Sequence, residues 1–155
     1  MQNTPHKSSI GKIDANVFVL VLFILTLTLS FIPGVRYVCW LLPLAAYFLE
    51  KDSGFIQLYA MQMVALYAVY AIIVIVLDAV RFSLQTARLS GGITMDIMKI
   101  AASYAGEVFV GIVGAVTGVV FVIIAIFTMV KAYRYEAYEI PVFGKLAAKL
   151  RQIKK

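Results

Sequence analysis

Residues 108–130, VFVGIVGAVTGVVFVIIAIFTMV, are 23 in number and carry no charge. As a helix they would cover about 35 Å at roughly 1.5 Å per residue, enough to cross a hydrocarbon core of about 30 Å. In lipid a segment must satisfy its own backbone donors and acceptors, so it has to be helical or part of a closed barrel. A run of this length and uniform apolarity, with no two-residue alternation, is a helix. The remaining sequence agrees. Of the 155 residues, 63% are hydrophobic and 14% charged, against about 45–50% and about 25% in soluble domains. So few charges cannot cover an aqueous surface on a chain of single-domain length. The expected fold class is therefore all-α and integral to a membrane.

Three further apolar stretches precede this run. Residues 15–32 form the first. It exceeds a usual signal-peptide core and lacks a small-residue cleavage site, so it reads as an uncleaved helix. After the breaker pair Pro33-Gly34, residues 35–49 form a second stretch interrupted by Pro43. It reaches only about 22 Å and either spans with local thinning of the bilayer or re-enters. Residues 55–82 form the third. Residues 83–94, SLQTARLSGGIT, read as the one long loop, and residues 95–105 as an interfacial lead-in to the fourth segment. The expected organisation is a polar, unstructured tail (1–14), a four-segment membrane domain (15–139) and a C-terminal tail (140–155). In that last tail Phe143, Leu146, Leu150 and Ile153 recur at helical spacing. Lys145, Lys149, Arg151, Lys154 and Lys155 make it a basic amphipathic helix suited to anionic lipid headgroups.

Charge sets the orientation. With four segments, Lys7, Lys12, Lys51 and the seven basic residues after position 130 share one side, ten in all. Arg36, Arg81, Arg88 and Lys99 lie opposite, four in all. Cytoplasmic loops carry the excess of Lys and Arg, so both termini are expected in the cytoplasm. The net charge of +6 is thus a membrane-flanking feature, and no nucleic-acid partner is expected.

Reactive residues are scarce. Cys39 is the single cysteine, which excludes an intrachain disulfide or a Cys-based metal cluster; it reads as a small buried hydrophobe. His6 is the single histidine, in a polar tail expected to be solvated. No core serine has an evident histidine partner, Gly91-Gly92 is no phosphate loop, and no cofactor or metal site is expected. The chain reads as non-enzymatic.

The polar residues that remain have local readings. Glu50-Lys51-Asp52 reads as a cytoplasmic turn whose charges sit in water, with Ser53 or Asp52 as N-cap of the third helix. Gln62 lies about 15 Å into that helix and needs a hydrogen-bonding partner; on antiparallel helices Thr128, or a backbone carbonyl near it, is the expected one. Gly111, Gly114 and Gly118 share a face of the fourth helix and read as a close-packing surface. Asp78 is expected at the outer interface, paired with Arg81 one turn on. Glu107 is expected near the N-terminus of the fourth helix, and Tyr133, Tyr135 and Tyr138 are expected to anchor at the interface.

Two stretches carry a resemblance. LEKDSGFIQLYAMQM contains Glu50, Lys51, Phe55, Tyr59, Ala60 and Gln62 in the pattern E-K-x-x-x-F-[VI]-[RQ]-[FL]-[HY]-A-x-Q, and KAYRYEAYEIPVFGKLA contains Tyr138, Pro141 and Gly144 in the pattern Y-x-[IL]-P-[VI]-[IF]-G. In order and spacing they resemble small prokaryotic multipass membrane proteins related to the chloroplast inner-envelope import component, the twenty-kilodalton Tic subunit. Where many relatives carry His, this chain carries Tyr59. The resemblance implies residence in a prokaryotic plasma (inner) membrane and a protein-translocation type of role. The residues themselves imply assembly: a membrane scaffold that joins copies of itself or another membrane protein. The alternative is an oligomeric small-solute or ion channel, which would require polar groups such as Gln62 to face a water-filled path.

Overall fold

The computed structural model describes residues 5–90, 97–140, 143 and 144. Among these residues the chain is helical, with no strand beyond one isolated bridge between Lys7 and Asp14. Helix α1 is Ala15–Ser30, a 3₁₀ turn is Val35–Tyr37, and α2 is Leu41–Leu49, followed by α3, Gly54–Ser90, and α4, Ile97–Tyr133. Two of them, α3 and α4, are long and apolar enough to cross a membrane. Each has 37 residues, or about 55 Å of axis.

The breaker pair acts where the sequence places it. Gly34 has φ +85°, open to glycine at little steric cost, and turns the chain out of α1. The second stretch is not one helix. Its helical part is the 9 residues of α2, only about 14 Å long. Pro43 is the third residue of α2, inside the first turn, where a backbone N–H has no helical partner to lose. The proline thus marks a helix start rather than interrupting a helix.

Contacts fix the topology. Ser8, just before α1, bonds Glu50, just after α2. Asn16 at the start of α1 donates to the Tyr133 carbonyl at the end of α4, 3.2 Å. The start of α1, the end of α2, the start of α3 and the end of α4 therefore share one end of an up-down bundle. At the other end, Arg36 in the α1–α2 connection meets Asp78 on α3. The first half of α3 is central: Ile56, Tyr59, Ala60, Gln62, Met63 and Leu66 are all fully buried.

Two expectations about α3 and α4 are overturned. Residues 83–90 are not loop but the last turns of α3. Across the hairpin Leu84 lies against Gly106, where a Cβ would approach its methyl to 3.0 Å. Arg88 reaches Glu107 at 3.2 Å and stacks over the Tyr104 ring at 4.3 Å. Glu107 is accordingly ten residues into α4, an ion-pair partner and not an N-terminal charge. Residues 95 and 96 lie outside the described set, whereas Ile97–Ala105 belongs to α4 itself.

The polar tail is also revised. From Pro5 onward it is built against the bundle, with Ser8 only 3% exposed. Burying Ser8 leaves no unmade bond because its hydroxyl donates to Glu50. The residues expected to form an amphipathic basic helix, with Lys145, Lys149, Arg151, Lys154 and Lys155, lie outside the described residues, as does Pro141.

Candidate functional site

The end of the bundle that carries Glu50 holds the densest polar network. Glu50 follows α2 in an extended conformation, which turns its carboxylate inward; it is 1% exposed. It accepts from the Ser8 hydroxyl at 2.6 Å and the Ser9 hydroxyl at 2.7 Å. The backbone N–H groups of Ser9, Asp52 and Ser53 donate to it at 3.1, 3.2 and 3.1 Å. Burial pushes this carboxyl upward, but the bonds from Ser8, Ser9 and Ser53 outweigh that and hold it down at about 2. The expectation that this charge sits in water is wrong for Glu50, because five donors replace the water; Lys51 and Asp52 are exposed.

Ser53 is the N-cap of α3, its Oγ accepting the Ile56 N–H at 3.2 Å. Gln57 donates to the Glu50 carbonyl at 2.7 Å. His6 is not free in water: its Nε2 lies 2.7 Å from Ser53 Oγ, and its ring sits 6.1 Å from those of Phe55 and Tyr135. A serine does therefore have a histidine partner, at the spacing of a nucleophile and its base. Ser53 is 1% exposed and its oxygen is engaged in the cap, so the pair holds the N-terminal segment in place.

A second set of bonds reaches across from α3 to the chain after α4. Tyr59 donates to the Glu136 carbonyl at 2.5 Å, and the Tyr138 N–H points back at the Tyr59 oxygen, 3.4 Å. Gln62 uses both ends of its amide. Its Nε2 donates to the Tyr138 carbonyl at 3.1 Å, and its Oε1 accepts the Ile140 N–H at 3.0 Å. Tyr59 and Gln62 are three residues apart on one helix face, so a single face of α3 holds an extended segment by its backbone. The expected Gln62–Thr128 pair is not formed. Thr128 donates to the Ile124 carbonyl within its own helix at 2.7 Å, and the segment after Tyr133 occupies the space between them.

That segment leaves α4 through a Schellman turn: Tyr135 N–H bonds the Ala132 carbonyl and Glu136 N–H the Lys131 carbonyl, 3.0 and 3.1 Å. The turn needs a left-handed residue, usually glycine; here Tyr135 takes φ +56°. A non-glycine residue there costs roughly 1–2 kcal/mol. What holds it is the ring, 5.4 Å from Phe55. Gly144 is fixed by close approach, since a Cβ would stand 3.0 Å from that of Glu139. The two sequence motifs thus meet. Phe55, Tyr59, Ala60 and Gln62 line the α3 face, and Tyr138 lies on it. Sequence reasoning missed Ser8, Ser9 and Ile140, and singled out Tyr135 as an interface anchor but not as the left-handed cap of α4; only the positional clustering of Ser8 and Ser9 before α1 hinted at a role.

The glycine face of α4 is partly as expected. Gly111 lies beside Arg81 Nη2 and Gly114 beside Leu77, at 3.5 and 3.8 Å from an added Cβ. Gly118 has nothing within 4 Å; it lines a small cavity with Tyr67 and Phe121. The closest contact is at Gly106. Asp78 pairs not with Arg81 but with Arg36, at 2.5 Å, and accepts from Tyr37 at 2.7 Å, because the α1–α2 connection brings both donors to its side of α3. Cys39 is buried, as its apolar setting implies. No family model, curated protein or solved structure matches the chain.

Proposed function

We propose that the chain is an integral membrane scaffold with four membrane segments, the second short and broken, and both termini in the cytoplasm. It acts without catalysis, by helix–helix assembly with a second copy or another membrane protein. The translocation-type role and the prokaryotic inner membrane are what the motif resemblance implies, and the basic C-terminal tail is the part suited to anionic headgroups.

One observation carries the reading. Outside its contacts with α1 and α3, α4 presents Val116, Val119, Ile123 and Ile126 at 51–60% exposure. That continuous apolar face is far too large for an aqueous surface and is available to lipid and to another helix. The channel alternative loses its main support, because Gln62 is buried with both amide ends bonded to backbone.

A photo-crosslinking residue placed at Val116 or Ile123 should capture a protein adduct of one defined mass in membranes, and one at Phe48 on α2 should not. Lipid adducts alone at every position would contradict assembly through α4.

A further inference from the structure

At the Arg36 end a polar cavity of about 200 Å³ opens between α3, α4 and the α1–α2 connection. By a comparable measure roughly 10–15 Å³ suffices for one water, so the space admits a polyatomic group. The 3₁₀ turn contributes Arg36 and, through its bond to Asp78, Tyr37. Helix α3 contributes Tyr70, Asp78 and Arg81, while the α4 wall, with Gly111 and Gly114, carries no charge. Two guanidiniums face one carboxylate, and that carboxylate is already compensated by Arg36 and Tyr37 on its Oδ2. One positive charge is left over. Arg81 has no carboxylate partner among the described residues. The bare backbone of Gly111 lets the Arg81 fork lie against α4.

We propose that this cavity binds a phosphate group, and that a phospholipid headgroup is its source. Guanidinium forks match phosphate oxygens in geometry and charge. Height along the bundle selects the source. Asp78 is 24 residues beyond Gly54, about 36 Å along α3, which is headgroup level for a core of about 30 Å. The lipid source rests on the membrane placement of α3 and α4; phosphate binding itself does not.

The full chain in mild detergent, offered equal amounts of phosphatidylglycerol and a glucosyl diacylglycerol of the same acyl chains, should retain the phospholipid about tenfold better by native mass spectrometry. Arg81→Gln, at an exposed residue whose loss leaves the Arg36–Asp78 pair intact, should lower that preference severalfold with the melting temperature unchanged, leaving only what the basic C-terminal tail contributes. Gly111→Leu should do the same by filling the place of the guanidinium. Parity in the wild type, or a preference that Arg81→Gln leaves undiminished and so belongs wholly to another basic surface, would overturn the proposal. In lipid-free detergent, inorganic phosphate that raises the melting temperature of the wild type but not of Arg81→Gln, without any lipid preference, would assign the site to free phosphate. Stabilisation by a divalent cation alone, lost in Asp78→Asn, would refute an anion site. Extraction of the protein from membranes by salt or alkali alone would show the membrane placement wrong independently of phosphate binding.

Discussion

Glu50 is held far from its ordinary state by the groups that surround it. Its carboxyl sits at about 2 in the folded chain against an ordinary 4.5. A group depressed on folding stabilises the fold above its unfolded value and loses that contribution as pH falls through the folded one. The contribution is therefore full above about pH 4.5 and declines towards pH 2. Glu50→Gln removes the charge and replaces one of the two acceptor oxygens that five donors share with an NH2 donor, and should cost about 1–3 kcal/mol at pH 7. Thermal unfolding in detergent should show the gap between variant and wild type closing as pH drops from 5 to 2; a gap constant with pH would mean that the charge is not what the donors bind. Tyr59 and Gln62 allow a second test. Both grip the same backbone segment, so releasing one weakens the hold of the other. Tyr59→Phe and Gln62→Leu should each cost on the order of 1 kcal/mol, and together less than their sum. Strict additivity would show two independent contacts.

At the level of elements, the segment before α1 acts as a strap rather than a tail. Removing residues 1–12 takes away Ser8, Ser9 and His6 and leaves Glu50 buried without its side-chain donors. The truncated chain should melt lower, and adding Glu50→Gln to it should cost much less than in the intact chain; an undiminished second loss would mean that the strap and the carboxylate are separate. The helices themselves were largely legible. Charge-free length marked α4, and Pro33-Gly34 marked the end of α1. The failures have physical causes. Residues 83–90 looked like loop because hydropathy drops there, yet Leu84, Gln85, Ala87, Arg88 and Leu89 are good helix formers and α4 supplies Gly106 and Glu107 to pack against. Gln62 announced a need for a partner but not which one, because its partners are backbone groups that carry no side-chain signature. Tyr135 takes a left-handed cap with no glycine to betray it; only the rings of Phe55 and His6 explain why it is there.

For the molecule as a whole, the bonds between Ser8 and Glu50 and between Asn16 and Tyr133 require that both ends of the described chain sit at one end of the bundle, however many segments cross. Orientation is then a single binary choice, and the split of ten basic residues against four favours the Glu50 end in the cytoplasm. A thiol test must avoid the strap: Ser8 and Ser53 are buried, and cysteines there would be shielded on either side of the membrane. Lys51 and Ser83 are exposed and flank the apolar part of α3, with Gly54 and Ser83 about 44 Å apart along the helix axis. The native Cys39, 1% exposed, should contribute no background. With an impermeant thiol reagent on intact cells, Ser83→Cys should label and Lys51→Cys should label only after lysis. The reverse pattern would invert the orientation. Labelling of both in intact cells would mean that α3 does not cross, and with it would fall the headgroup height assigned to Arg36, Asp78 and Arg81.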